Sequence, residues 1–324
     1  MNNEILVSIC CITYNHEKFI RQALDGFLMQ KTNFKFEIII HDDASTDSTQ
    51  EIIHEYENKY PDIIKAIYQK ENQYKKGIKA SYITYQNAKG KYIAVCEGDD
   101  YWIDENKLQI QVDYMEQNPK CSFCFHNAKY LNMKNMDNTK VCIPFCKKQI
   151  RYIKKNNIYD VGELALLDQI PTASYLFKKV DFPEWYNNCI AGDLATQLIC
   201  TSYGYAYYID RIMSVYRIGT GQSITDKWIE DAKDYEKELE RINKCIKLYE
   251  DINEYTKYEY SKEFEYLIDK LKAVIILTNP NAQVSKRDYK KLKRNLDFYI
   301  KIKLFIRVHL KKIYYKLKQL KQKS

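Results

Sequence analysis

Short apolar runs alternate with helical patterns over the first 130 residues, and no other feature of the sequence limits the possible folds as strongly. The apolar runs have the length of strands and are predicted to be buried on both faces. These runs are Ile5–Ile12, Phe36–Ile40, Ile63–Tyr68 and Gly90–Cys96. Helical patterns lie between them, over residues 17–29 and after Ser48 and Gly77. The order βαβαβαβ predicts an α/β fold with a mostly parallel sheet, right-handed crossovers and flanking helices.

Polar side chains follow three of these predicted strands, at the point where each strand ends. The clusters are Thr13-Tyr-Asn15, Asp42-Asp43 and Asp99-Asp100. Ligands of parallel sheets bind outside the carboxyl ends of the strands, so the clusters predict a binding site at one edge. Paired acids there can hold Mg²⁺ or Mn²⁺, which take one or two carboxylates together with phosphate oxygens. The alternative is that an acid caps the following helix or turn.

The composition excludes an integral membrane protein. Hydrophobic residues make up 45% of the chain and charged residues 29%. No stretch approaches the roughly 18 uninterrupted apolar residues that a spanning helix needs. The segment Met1–Glu4 carries no basic region before the first apolar run. We therefore expect no signal peptide and a cytoplasmic location.

Most of the cysteines lie inside apolar runs, where a reduced thiol behaves as a small hydrophobic side chain. One spacing, Cys121-x2-Cys124 followed by Cys142-x3-Cys146, resembles a four-thiolate zinc site. However, the segment Cys121–Phe125 has the pattern of a strand, in which residues three apart face opposite sides. We therefore predict free thiols in the core rather than zinc.

Beyond residue 130 the alternation is looser. Pro171–Phe177 predicts a strand, and Tyr205–Tyr216 predicts a hairpin or a strand pair. Asp193 stands before a helical pattern that begins at Leu194, where it can cap the helix or take part in chemistry. Helical patterns then dominate from about Trp228 onward.

The net charge of +8 is spread unevenly along the chain. Residues 286–324 contain 15 Lys and Arg and 2 Asp, a net charge of +13, which leaves −5 for residues 1–285. This asymmetry predicts an anionic partner for the tail alone, either a membrane surface or a nucleic acid. No helix-turn-helix, zinc finger or aromatic RNA platform is apparent in the sequence, so we expect no nucleic-acid partner.

The basic tail also has a helical apolar period. Apolar residues recur in steps of three and four at Leu292, Leu296, Tyr299, Ile302, Ile306, Leu310, Ile313, Leu317 and Leu320. The pattern predicts a basic amphipathic helix that lies on an anionic membrane surface. The alternatives are a helix that packs on the body of the protein, or a coiled-coil contact between protomers of a homo-oligomer.

Three motifs stand in order along the first half of the chain. They are Val7-Ser-Ile-Cys-Cys-Ile-Thr-Tyr-Asn15, Ile40-His-Asp-Asp-Ala-Ser-Thr-Asp-Ser-Thr49 and Ala88-Lys-Gly-Lys-Tyr-Ile-Ala-Val-Cys-Glu-Gly-Asp-Asp-Tyr-Trp102. Together they resemble glycosyltransferase family 2, the inverting nucleotide-sugar glycosyltransferases of the GT-A fold, from about residue 5 to residue 130. The resemblance implies a Rossmann-like sheet flanked by helices and, in this chain, a C-terminal helical extension.

The resemblance also implies a nucleotide pocket. Thr13, Tyr14 and Asn15 match the family residues that line it, and Asp43 matches the residue that contacts the nucleobase, which is usually uracil. We further expect Lys79, or alternatively Lys76, to reach the diphosphate.

The family's metal and catalytic positions are matched by three further acids. Asp99 corresponds to the residue that faces the ribose, and Asp100 to the residue that binds Mn²⁺ or Mg²⁺. Asp193 corresponds to the catalytic base. Arg217 lies in a segment that resembles a later Tyr-Arg motif, where it can bind phosphate or form a structural ion pair. Many members have a histidine two residues beyond that arginine, near the diphosphate, whereas this chain has Gly219.

The implied function is transfer of a sugar from a nucleotide diphosphate sugar, usually a UDP-sugar, to a glycan or lipid-linked acceptor in bacterial surface polysaccharide synthesis. The predicted domains are a GT-A domain over residues 1–225, with a nucleotide-sugar half to 130 and an acceptor half from 131, a helical extension over 226–285 and the tail. Two other functions stay open, a catalytically inactive sugar-nucleotide sensor and a nucleotidyltransferase. The latter is disfavoured because no glycine-rich phosphate loop follows Thr13.

Overall fold

The computed structural model describes residues 4–134, 154–167, 170–221, 224–279 and 285–309. The chain divides into two units, Met1–Trp228 and Ile229–Ser324. The first unit contains the sheet and all of the predicted site residues. The second unit is helical.

The described residues of the first unit form one nine-stranded sheet. Its strands are β1 Ile5–Thr13, β2 Lys35–Asp42, β3 Ile64–Tyr68, β4 Tyr92–Val95, β5 Tyr101–Trp102, β6 Cys121–Asn132, β7 Ile158–Tyr159, β8 Leu176–Lys178 and β9 Tyr205–Ile218. The order across the sheet is β3-β2-β1-β4-β8-β6-β9-β5, with β7 paired to β9. Strands β5, β7 and β8 run antiparallel to their neighbours and the other six share one direction, so the sheet is mostly parallel, as predicted.

Helices connect and cover these strands. Those of the first unit are α1 Ile20–Leu28, α2 Thr49–Lys59, α3 Ala80–Asn87, α4 Lys107–Gln117, α5 Val161–Ala165 and α6 Gly192–Thr201. Helix α7, Ile224–Asp231, spans the boundary between the units, and the second unit contains α8 Tyr235–Tyr255, α9 Ser261–Thr278, α10 Lys286–Asn295 and α11 Phe298–His309.

Strand β1 lies at the centre of the parallel half of the sheet, between β2 and β4. Its side chains Val7, Ile9 and Cys11 are fully buried in one cluster with Leu24 and Phe27 of α1. Because both faces of the strand are covered, an uninterrupted apolar run is the pattern that such a position requires. The position of β1 fixes where its polar end, Thr13 to Asn15, emerges.

Two predictions for the later part of this unit were wrong in detail. Thr172–Ser174 is a 3₁₀ turn, and the strand β8 begins only at Leu176. Tyr205–Tyr216 belongs to one continuous strand, β9, rather than to a hairpin or strand pair. The pairing of β9 with β6 is irregular, with register shifts at His126 and Asn127 of β6.

The cysteine prediction is confirmed for the described residues, in which Cys121 and Cys124 of β6 are buried and free. Cys142 and Cys146, the other half of the zinc-like spacing, lie outside the described residues. None of the helices that the structure describes combines the length and the apolar character that a membrane crossing requires.

The tail prediction of one continuous amphipathic helix was wrong where the structure describes the tail. Helix α10 ends at Asn295 and α11 begins at Phe298. Leu292 and Leu296, which were predicted to face a membrane, are buried with Leu304 in a cluster around Ala273 of α9. Apolar contact within the second unit therefore accounts for part of the stripe. Leu310, Ile313, Leu317 and Leu320 lie outside the described residues.

Candidate active site

The end of strand β1 is the point where the polar clusters meet. On one side, the backbone N–H of Asp43 donates to the carbonyl oxygen of Thr13 at 3.0 Å. On the other side, the N–H of Gly98 donates to the carbonyl oxygen of Ile12 at 2.9 Å. The chain that follows β2 and the chain that follows β4 are thus both fixed to the last residues of β1. The sequence prediction that these clusters share one edge is confirmed by this topology.

Glycine at residue 98 allows a close approach between two of these segments. A Cβ there would lie 2.7 Å from Oγ1 of Thr13, closer than real Cβ contacts permit, and 3.0 Å from Nδ1 of His16, which is a tight contact. Thr13 itself is 3% exposed, and its Oγ1 is buried without a hydrogen-bond partner. The Gly98 segment therefore lies directly against the end of β1.

Tyr14 and Asn15 follow Thr13 at the end of β1. Tyr14 is half-buried at the end of β1. Asn15 adopts a positive φ of 53°, and its Oδ1 accepts from the N–H of Thr46 at 2.7 Å. Its own N–H donates to Oγ of Ser45 at 2.8 Å. Asn15 thus ties the end of β1 to the loop after β2.

Asp43 holds the segment that follows β3. The residue is 5% exposed, and its two carboxylate oxygens accept from the N–H groups of Gln73 at 2.6 Å and Tyr74 at 3.1 Å. A carboxylate oxygen has two lone pairs, so each of them keeps one acceptor site for a further donor such as a base imide. The side chain consequently presents a pre-positioned acceptor at the end of β2.

Asp100 is almost completely buried, with 1% exposure. Its Oδ1 accepts from the N–H of Arg217 at 2.8 Å, whereas its Oδ2 is buried without a partner. Burial raises the pKa of Asp100 well above its usual range, and the negative charges of Asp99 and Glu97 raise it further. A bound cation would stabilise the ionised carboxylate and so would counteract both effects.

Arg217 holds the Asp99–Asp100 loop in place from β9. Its guanidinium donates to the carbonyl oxygen of Asp99 and to Oε1 of Gln22. The group also lies 4.4 Å from the ring centre of Tyr101 and 4.9 Å from that of Phe19. With these contacts, the side chain is buried, at 5% exposure. It is a hydrogen-bonded and aromatic clamp.

Gly219 follows that clamp with φ +77°, a conformation that strains any residue with a side chain. A Cβ there would also lie 3.1 Å from Cγ of Lys134. The histidine that many family members carry at this position does not suit this backbone.

Asp193 lies in the first turn of α6 and is half-buried. Its Oδ1 accepts from the N–H of Leu194 at 2.8 Å, so it does bond to the helix start, although Ala191 is the residue in the cap position. Burial raises its pKa above the usual value, while the hydrogen bond to Leu194 and the charge of Lys79 act in the opposite direction. A raised pKa makes the ionised carboxylate a better proton acceptor.

The two candidate lysines differ in position. The ammonium of Lys76 pairs with Glu71, and about half of each side chain or more is exposed. Nζ of Lys79 donates to the carbonyl oxygen of Cys189 at 2.6 Å, and its stem lies against Gly192 beside Asp193. Of the two, Lys79 is the one that borders the predicted site.

Glu97 connects the two groups of acids and was missed in the sequence. Burial raises its pKa to about 8, and the charges of Asp99 and Asp193 add to the effect. The carboxyl group of Glu97 therefore interacts electrostatically with both the strand-end acids and the candidate base. Its place two residues before Asp99, on a buried strand end, was the available signal.

His16 is a second residue that the motifs did not identify. Its Nε2 lies 3.9 Å from Oδ2 of Asp99, and its Nδ1 is buried without a partner. A cleft of about 190 Å³ lies beside it, lined by residues 15–19, Asp47 and Thr220. The signal in the sequence was a histidine directly after the polar cluster Thr13-Tyr-Asn15.

The acids fit a divalent cation that is completed by a ligand. Within the described ranges, no group of three or more His, Cys, Asp or Glu side chains has the geometry to enclose a metal ion. One buried carboxylate oxygen of Asp100 nevertheless has no partner, and Mg²⁺ is commonly held by one or two carboxylates plus phosphate oxygens. The donor set thus suits a cation that arrives with a diphosphate.

Comparison with known families identifies the chain. The model of glycosyl transferase family 2 matches residues 8–175, which is more than half of the 324 residues. The chain belongs to this family. The match contains all of the strand-end acids of this site, while Asp193 and Arg217 lie beyond it.

Two curated relatives illustrate the similarity. An uncharacterised protein of Mycobacterium tuberculosis is 45% identical over 126 residues, which are 39% of this chain and 36% of that protein. The chain therefore spans only about a third of that relative's length. The putative teichuronic acid biosynthesis glycosyltransferase TuaG of Bacillus subtilis is 28% identical over 244 residues, 74% of this chain and 90% of TuaG.

Solved structures share the fold. S. aureus TarS 1–349 in complex with UDP superposes with a TM-score of 0.53 at 17% identity, covering 94% of this chain and 87% of that one. The mannosyltransferase PcManGT from Pyrobaculum calidifontis, in complex with GDP-Man and Mn²⁺, gives 0.52 at 15% identity, with 90% and 80% covered. The predicted GT-A fold is confirmed.

Proposed function

We propose that this chain is an inverting glycosyltransferase that moves a sugar from a UDP-sugar to a hydroxyl group of a glycan or lipid-linked acceptor, with Mn²⁺ or Mg²⁺ as cofactor. Its product would be part of a bacterial surface polysaccharide or glycolipid. Family membership and the similarity to TuaG support the reaction class. The TarS complex with UDP supports the donor, and the Mn²⁺ in the PcManGT complex supports the cofactor.

One observation carries the proposal: acids from separate segments meet at the end of β1, and Asp100 among them has a buried carboxylate oxygen without a partner. Asp43 and Gly98 bond to neighbouring carbonyl oxygens of β1, which brings the loops that carry Asp43, Asp99 and Asp100 to one place. The open Oδ2 of Asp100 would hold the cation. A bound cation would neutralise the charge that develops on the departing diphosphate.

Residues of the chain would perform the remaining steps. Tyr14 and Asp43 would bind the nucleoside, and Asp99 would hold the ribose. Asp193 would accept the proton of the acceptor hydroxyl as its oxygen attacks the anomeric carbon from the face opposite the diphosphate, which inverts that centre. The raised pKa of Asp193 suits this role, since a buried carboxylate is more basic than an exposed one.

The test is a screen of UDP-sugars with the full chain and Mn²⁺, with release of UDP as the signal for donor hydrolysis. We expect one donor to be hydrolysed, and we expect Asp100→Asn to abolish the reaction. Release of pyrophosphate instead of UDP would identify a nucleotidyltransferase. Binding of a UDP-sugar without turnover, even with acceptor lipids, would identify a sensor. Either result would contradict the proposal.

We further propose that the basic tail attaches the protein to the cytoplasmic face of an anionic membrane. The net charge of +13 over residues 286–324 supports this partner. Phe298 is 78% exposed and Ile302 is 40% exposed, one helical turn apart on α11, whereas Leu304 is buried. Exposed side chains of α11 such as these two, rather than Leu292 and Leu296, would be available to enter a lipid surface.

Sedimentation with phosphatidylglycerol vesicles tests this attachment. Phe298→Ser in the full chain should weaken binding about tenfold, since burial of such a side chain contributes roughly 1.5–3 kcal/mol. The control is Tyr203→Ser, which removes an aromatic side chain of 53% exposure from the first unit. Equal binding by the two variants, or equal binding to uncharged phosphatidylcholine vesicles, would contradict the attachment.

A further inference from the structure

His16 is a polar side chain of this site that the proposed chemistry does not use. Its imidazole is 12% exposed and lies between the acid clusters, with Nε2 3.9 Å from Oδ2 of Asp99. Its Nδ1 is buried and has no hydrogen-bond partner. A ring with one unpaired nitrogen and one nitrogen directed at a carboxylate is costly to bury unless the second nitrogen has a use.

The position of this ring is fixed by the fold. The N–H of His16 donates to Oγ1 of Thr49 at 2.8 Å, and its carbonyl oxygen accepts from the N–H groups of Phe19 and Ile20, both at 2.9 Å. The ring of Phe19 packs edge-on against the imidazole, with 6.4 Å between ring centres. The direction of Nε2 is therefore set before any ligand arrives.

The surroundings also select one tautomer. Burial lowers the pKa of His16, so the ring is neutral and carries a single N–H. A proton on Nδ1 would leave a buried donor unsatisfied and would turn the lone pair of Nε2 toward the carboxylate of Asp99. A proton on Nε2 avoids both costs. The imidazole therefore offers an N–H to Asp99.

The contacts of Asp99 described so far hold its backbone but do not orient its carboxylate. Arg217 bonds to the carbonyl oxygen of Asp99, so this contact does not orient the carboxylate. The present 3.9 Å is longer than a hydrogen bond, which requires about 2.7–3.2 Å. Hydrogen bonds of active sites are often long before the ligand binds and shorten in the complex.

We propose that His16 is a positioning residue for Asp99. When a nucleotide binds, Nε2–H of His16 donates to one oxygen of the Asp99 carboxylate and holds the other oxygen toward the ribose hydroxyls. The inference rests on the proposed function, in which Asp99 faces the ribose of a nucleotide diphosphate. Gly98 supports the arrangement, since a Cβ there would displace the imidazole.

The test compares variants of His16 that differ in where they place a donor. The amide nitrogen of a glutamine reaches the place of Nε2, whereas that of an asparagine reaches only the place of Nδ1. Calorimetric titrations with Mn²⁺ would use three ligands: UDP and its 2′-deoxy and 3′-deoxy forms. A role in orienting Asp99 should appear only when the ribose hydroxyl is present.

We expect His16→Asn to weaken UDP about tenfold, the size of a lost hydrogen bond to a charged group. The same variant should bind at least one of the deoxy forms within about twofold of the unchanged protein, since that ligand lacks the hydroxyl that Asp99 holds. His16→Gln should bind UDP within about threefold of the unchanged protein. If His16→Asn does not fold, His16→Phe keeps a buried ring without a donor and replaces it in the comparison.

Two results would overturn the role of His16 alone. One is equal weakening of UDP and both deoxy forms, which would mean a structural role. The other is a UDP affinity of His16→Gln that is no higher than that of His16→Asn. If the unchanged protein failed to bind UDP in the presence of Mn²⁺, the proposed function would be wrong, and the role of His16 would be wrong with it.

Discussion

The site has two unlike halves. In residues 4–100, three neighbouring parallel strands end at one edge, and backbone hydrogen bonds to β1 place the acids that follow β2 and β4. In residues 171–221, one helix start supplies Asp193 and one irregular strand supplies Arg217. In the proposed function, the first half binds the nucleotide and the second supplies the candidate base. This difference predicts that changes in the first half act on binding and changes in the second on turnover.

The largest expected effect comes from Asp193→Asn. If Asp193 is the base, turnover should fall by roughly 10²–10⁴-fold, whereas the affinity for UDP should stay within about twofold. Steady-state kinetics and calorimetry measure the two quantities. Asp210→Asn, an exposed acid of the same half, is the matched control and should leave both unchanged. If Asp193→Asn lost UDP affinity as well as turnover, the assignment of binding to the first half and turnover to the second would be contradicted.

The pH dependence of turnover gives a second readout of Asp193. The base acts only when ionised, and burial raises its pKa, so turnover should fall as the pH drops through that raised pKa. The decline should therefore begin at a higher pH than an ordinary aspartate would cause. A pH profile of kcat that is flat across the acidic range would exclude this carboxylate as the base.

A smaller effect on stability and affinity is expected from Arg217→Lys. Arg217 connects the two halves, because it lies on β9 and bonds to Asp99 and Gln22. A lysine cannot make both side-chain hydrogen bonds at once or stack in the same way between Phe19 and Tyr101. We expect a loss of about 1–3 kcal/mol in the free energy of unfolding and UDP binding weakened about tenfold. The control is Arg211→Lys, since Arg211 is 52% exposed and pairs with Asp104 at the surface. Equal effects of the two substitutions would show that Arg217 is not a clamp.

The smallest effect on nucleotide affinity is expected from Lys107→Met, a substitution in the core of the first half. Lys107 is fully buried, with Nζ 2.8 Å from Oε1 of Gln111 and 4.0 Å from the ring centre of Trp102. Burial lowers its pKa to about 7 from 10.5, so between these values the unfolded chain binds more protons than the folded one. The free energy of unfolding therefore gains from this residue as the pH rises from 7 toward 10.

Urea denaturation at pH 7 and pH 9 measures that gain. The substitution by methionine should reduce the rise in stability between the two values, while UDP affinity at pH 7 should change less than about twofold. If the stability of the variant rose with pH as steeply as that of the unchanged protein, the lowered pKa of the buried Lys107 would be contradicted. A large loss of UDP affinity would show that the binding half depends on its core more closely than the strand-end geometry implies.

The same two halves differ in what the sequence could predict. Strand ends follow from local apolar patterns, and parallel connections bring them to one edge, so Asp43, Asp99 and Asp100 could be placed from the sequence. Tyr205–Tyr216 could not be assigned to one strand, because its irregularity comes from its pairing with β6. The roles of His16 and Arg217 depend on contacts with Asp99 and Asp100, which lie 83 and 117 residues away along the chain respectively.

The central claim is that Asp100 and a cation together hold the diphosphate at the end of β1. Calorimetric titration of UDP into the unchanged protein and into Asp100→Asn, each with Mn²⁺ and with EDTA, tests it most directly. We predict that Mn²⁺ raises the affinity of the unchanged protein about tenfold or more and has little effect on the variant. UDP affinities that are equal in all four titrations would contradict the account.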